Sequence, residues 1–92
     1  MRQAINSELD TIASPMRFYL QVQGVGDAGI HRYANEIFKL AKKGYSQENL
    51  KSEIWGLQVN GIRQPLDLVV CGKVATVALD VVAGWSGSGT GK

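Results

Sequence analysis

The chain has 92 residues, is 45% hydrophobic and 20% charged, and carries a net charge of +2 from 10 basic and 8 acidic side chains. That length predicts one domain with one modest core, and the apolar content excludes disorder over most of the chain. Cys71 is the sole cysteine, which excludes an internal disulfide and a cysteine-based zinc site within one chain.

A pI near 8.9 neither demands nor excludes a polyanionic partner. The first residues, MRQAINSELDTIASP, are polar and carry acids, unlike a secretory signal. The most apolar run, Leu66 to Trp85, contains Asp67, Lys73 and Asp80, which argues against a membrane span. With one free thiol as well, a reducing, cytoplasmic setting is the expectation.

Along the chain, Ile5, Leu9 and Ile12 recur at helical spacing within Arg2–Ala13. Ser14-Pro15 ends that helix, because the residue before proline avoids helical dihedrals. In Met16–Gln23, Phe18, Leu20 and Val22 alternate with Tyr19, Gln21 and Gln23. This two-residue period predicts a short strand over 17–23, with continued helix as the competing reading. A strand there needs a partner, either a C-terminal hairpin or a second copy of the chain.

Gly24 to Gly29 breaks the chain, and Asp27 is the expected N-cap of the next helix. That helix carries an apolar stripe of Ile30, Tyr33, Ala34, Ile37, Leu40 and Ala41. Lys42, Lys43 and Gly44 suit its C-terminus. Ser46 caps a second helix, with Leu50, Ile54 and Leu57 as its stripe, and Asn60-Gly61 marks a turn. Pro65 fits a first helical position. Beyond it, Val70, Val74, Val77 and Val81 line one side of a helix ending near Gly84, with Lys73, Thr76 and Asp80 on the other. The alternative is a valine-rich hairpin over 66–82 turned on Gly72-Lys73. Residues 86–92, SGSGTGK, have the composition of a flexible tail, leaving 1–85 as the domain.

The expected fold is therefore a mainly helical bundle of three to four helices with one short strand at 17–23. A C-terminal hairpin would convert it to α+β. The expected core contains Ile30, Ile37, Leu40, Leu50, Ile54, Leu57, Val70, Val74, Val77 and Val81.

Four features bear on function. The first is the order helix, glycine turn, capped helix and glycine turn across Ile30–Arg63, which is what a helix-turn-helix DNA reader needs. Its recognition element would begin at Val59–Arg63. Six basic residues (Arg32, Lys39, Lys42, Lys43, Lys51 and Arg63) face three acids there, a local charge of +3. Lys39, Lys42, Lys43, Lys51 and Arg63 would neutralise phosphates. Against this, Gly61 and Pro65 interrupt the supposed recognition helix.

The second is Gly24-Val25-Gly26-Asp27-Ala28-Gly29, which matches the dinucleotide-binding GxGxxG pattern. It lacks a second strand ending in an acidic ribose ligand, and Asp27 would set negative charge beside phosphate. The third is Gly87–Lys92, which resembles a phosphate-binding loop only superficially, because Ser86 stands where the motif has glycine. The fourth is His31, the only histidine. Catalysis would need a nucleophile and an orienting acid beside it, with Ser46 and Asp27 as the candidates.

No catalytic, cofactor or metal constellation emerges. The expected function is a small non-enzymatic interaction module, self-associating and accessory or regulatory in type. Phe18, Leu20, Val22, Trp55 and Trp85 are its candidate interface anchors. The alternative is a DNA-binding regulator using the basic 39–63 region.

Overall fold

The computed structural model describes residues 6–63 and 66–87, residues 6 and 85–87 in their backbone only. Five helices and one small hairpin follow in the order α1 (Asn6–Ala13), α2 (Arg17–Val22), α3 (Asp27–Ala41), α4 (Gln47–Trp55), β1 (Gln58–Val59), β2 (Ile62–Arg63) and α5 (Leu68–Gly87). The fold is mainly helical, as its sequence periods predict.

The 17–23 segment is a helix and not a strand. Its backbone explains the difference. The Leu20 N–H donates to the Met16 carbonyl at 3.0 Å, and the N–H groups of Gln23 and Gly24 bond back into the last turn at 3.1 and 3.0 Å. A helix satisfies its own polar groups, whereas a lone strand must borrow a neighbour. None is provided, because 68–87 is also helical and the hairpin over 66–82 does not form. Dimerisation through a strand edge at Phe18–Val22 loses its basis accordingly.

The chain turns where its residues tolerate left-handed backbone. Gly24 and Gly44, at φ +88° and +90°, follow α2 and α3. Asn60 and Gly61, at φ 56° and 77°, form the two-residue loop between Val59 and Ile62, which pair in antiparallel register. Two positive φ values in a two-residue loop are the signature of a type I′ hairpin, for which Asn-Gly is the favoured sequence. Ser46 caps α4 as expected, its hydroxyl accepting from the Asn49 N–H at 3.2 Å. Gly26, not Asp27, stands at the N-cap of α3, and Asp27 lies in its first turn. The helix after the hairpin starts at Leu68, where the Asp67 carboxylate accepts from the Val70 N–H at 2.8 Å. Pro65 and residues 88–92 lie outside the described residues. The C-terminal helix runs on through Ser86 and Gly87.

One core joins α1, α3, α4 and α5. Ile30, Ile37, Leu50, Ile54, Val70 and Val74 are buried as the stripes predict. Leu40, Leu57 and Val81 are only partly buried against it, and Val77 lies at its margin. The core also takes Leu9, Ile12, Ala13 and Met16 from the N-terminal region, Phe38 from α3, and Cys71, Ala75 and Ala78 from α5. Gly72 on α5 lets α4 approach closely. Lys51 and Gln47 both lie against Gly72, and the Gln47 amide donates to the Gly72 carbonyl at 3.1 Å.

The two phenylalanines give the packing a direct check. Phe38 is 1% exposed and Phe18 is 68% exposed. Phe38→Ala is expected to cost about 3–5 kcal/mol in urea unfolding, the range for a buried aromatic. Phe18→Ala should change stability by less than about 0.5 kcal/mol, as surface substitutions do.

Candidate functional site

The fold turns α2 into a small exposed apolar surface. Phe18 and Val22 are one helical turn apart and 68% and 65% exposed, with Tyr19 beside them. The Phe18 and Tyr19 rings meet edge to face, their centroids 5.8 Å apart. Leu20 points the other way and is fully buried. It therefore anchors α2 to the core and is not a surface contact. The alternation in MRFYLQVQ places Phe18, Leu20 and Val22 on one face only if the backbone is extended. A helix separates Leu20 from Phe18 and Val22.

A charge network holds α2 in place. Arg17 reaches Asp10 on α1 at 3.0 Å and Asp27 on α3 at 3.3 Å. His31 Nε2 lies 2.6 Å from the same Asp10 oxygen. The hydrogen bond from His31 is the main reason that the Asp10 carboxyl titrates below its ordinary value; the charges of His31 and Arg17 add to it, and partial desolvation opposes. None of these pairings was legible in the sequence, because their members come from three helices. The Ser46 and Asp27 side chains that catalysis at His31 would need are engaged elsewhere. The acid beside His31 is Asp10, Asp27 is taken by Arg17, and the Ser46 hydroxyl is the α4 cap.

The basic residues of 39–63 serve mostly intramolecular roles. Lys39 pairs with Glu36 at 3.1 Å and Lys51 with Glu48 at 3.0 Å. The Lys42 ammonium sits over the Phe38 ring, 4.8 Å from its centroid. Lys43 is exposed at the end of α3. The Arg63 guanidinium stacks on Trp55 at 4.1 Å and donates from Nε to the Trp55 carbonyl at 2.6 Å. Val59–Arg63, the expected start of a recognition helix, is a β-hairpin. Trp55 is 46% exposed, and the Trp85 side chain lies outside the described residues.

The glycine run sits between two helices, not after a strand, so it lacks the context in which a dinucleotide is held. Gly29 has a packing reason: a Cβ there would lie 2.8 Å from Val25 Cγ1. Cys71 is buried on α5, and burial, with the nearby Asp67 charge, pushes its thiol up. Such a thiol is inert. An open groove of about 460 Å³ is lined by Asp10, Thr11, Ser14, Pro15 and Val77, and the Thr11 hydroxyl is already committed to the Ser7 carbonyl at 2.9 Å. Among the described residues, no three His, Cys, Asp or Glu side chains converge as a metal site, and no helix is long and apolar enough to cross a membrane.

Comparison with protein-family models, curated proteins and solved structures finds no match for the chain.

The Asp10 network predicts a pH dependence with a definite sign. A carboxyl whose value is lowered by folding stabilises the native state above its unfolded value and loses that contribution as pH falls through the folded one. Asp10→Asn should therefore lower the thermal midpoint at neutral pH. The gap from the unsubstituted chain should close as the pH is taken below the carboxylate range. A scan of midpoint against pH for both chains checks this.

Proposed function

We infer that the chain is a non-enzymatic protein-interaction module, accessory or regulatory in type, that associates with a second copy of itself through the outward side of α2. The observation that carries the reading is the exposure of Phe18 and Val22, four residues apart on one helix face. Large apolar groups left in water together mark contact surfaces more often than isolated ones do.

The spacing suits a two-fold pairing. When two copies of α2 cross antiparallel, Phe18 of each meets Val22 of the other, so one patch is its own complement. Charge does not oppose the approach. The segment Phe18 to Val25 carries none, and Arg17 is drawn back onto Asp10 and Asp27. A helix of six residues covers little area, below the roughly 1,200 Å² of standard stable interfaces, so the association is weak and reversible.

DNA binding through the 39–63 region has less support. A hairpin stands where the recognition helix would begin, and Lys39 and Lys51 already pair with acids of their own helices.

Light scattering across a concentration series tests the proposal. The mass is expected to rise above the 10.0 kDa of the single chain with increasing concentration. The double variant Phe18→Ser, Val22→Ser should stay monomeric while keeping its helical circular dichroism. A wild-type mass that never leaves the monomer value would overturn the reading. A complex with a short DNA duplex that dissolves as salt rises would move support to the 39–63 region.

A further inference from the structure

We propose that the Trp55–Arg63 stack and the first turn of α5 form a second docking surface, distinct from α2, for an acidic, apolar segment of another protein. The recognition element is a carboxylate bound by Arg63.

The hairpin and helix packing assemble this surface. Gln47 and Lys51 lie against Gly72. Trp55 lies one turn beyond Lys51 on α4, and Leu68 one turn before Gly72 on α5. The hairpin joins the helices at that end, with Gln58 and Arg63 opposite one another in register. Arg63 bends back onto Trp55. Trp55, Leu68 and Val69 are 46%, 53% and 68% exposed. Apolar side chains thus remain in water at the end of α4, where Arg63 is held, and at the start of α5.

Arg63 is prepared for an acceptor. Its Cζ lies over the Trp55 ring, 4.1 Å from the centroid, and its Nε donates to the Trp55 carbonyl at 2.6 Å. Neither contact uses the N–H groups of Nη1 and Nη2. Among the described residues no carboxylate pairs with it, and the closest acid in sequence, Asp67, already accepts from the Val70 N–H. A guanidinium already held at its Nε and over a ring loses little freedom when it binds a carboxylate through two parallel hydrogen bonds. Arg and Trp are also the residues that most often dominate protein interfaces.

The surroundings favour a peptide carboxylate over a nucleic acid. Nucleic-acid affinity is built from many phosphate contacts. Here there is one arginine, the exposed side chains near it in sequence, Ile62, Leu68 and Val69, are apolar, and Asp67 adds a negative charge. A single carboxylate within an apolar segment fits that pattern.

The test uses short synthetic peptides that alternate leucine with glutamate, glutamine or lysine, added to the isotope-labelled full chain. The glutamate peptide is expected to shift the Trp55 indole and Arg63 Nε signals and to bind about tenfold tighter than the glutamine peptide, the value of one charge-assisted hydrogen bond. Arg63→Lys keeps the charge but loses the fork and should abolish that preference. A second measurement needs no substitution: the preference should vanish as the peptide's glutamates protonate in acid. Equal binding of the glutamate and glutamine peptides would overturn the proposal, as would full retention of the preference in Arg63→Lys. A short DNA duplex that shifts the same two signals more strongly than the glutamate peptide would overturn it in favour of nucleic acid.

Discussion

The structure depends on burying one face of α5. A chain of this size has room for one core, and α5 reaches α1, α3 and α4 across it. Its buried side alternates branched and small residues: Val70 and Val74 fill space, while Cys71, Ala75 and Ala78 let neighbouring helices close in. Close packing at organic-crystal density is what makes such a small core sufficient. Gly72 extends the same logic to the edge, where Lys51 and Gln47 lie against it and its carbonyl accepts from the Gln47 amide.

Around that axis, the surface is organised by charge rather than by burial. The two-helix entry, α1 and α2, is short and is fastened by Asp10, Arg17, Asp27 and His31. These side chains stay partly in water, so each pair is a modest contribution. Together they fix where α2 sits. The consequence for function is geometric. Leu20 fills the core, and Phe18 and Val22 are left pointing outward. The hairpin does the same at the α4–α5 end, where it brings Arg63 back onto Trp55 across eight residues of chain.

Both proposed surfaces follow from that division. The α2 patch is uncharged and carries two apolar groups at a symmetric spacing, which suits a copy of itself. The Trp55–Arg63 patch pairs an exposed apolar surround with an oriented cation, which suits an acid. Self-complementarity and charge complementarity call for different partners.

The α4 cap, the hairpin turn and the α3 stripe were legible in the sequence because they are set by contacts within a few residues. Ser46 caps through Asn49, Asn60-Gly61 adopts the dihedrals its type favours, and the α3 stripe repeats every turn. The same local reading misjudged 17–23. An alternating pattern in six residues fits a strand or a helix equally, and the choice turned on whether a neighbouring strand existed. Only the tertiary structure decided that, together with the roles of single side chains. Leu20 became an anchor, Asp10 the centre of a network, and Arg63 a stacked cation in a hairpin in place of a phosphate contact on a recognition helix. Each of these depends on residues far apart along the chain, whose meeting is fixed by the packing on α5 and not by any local period.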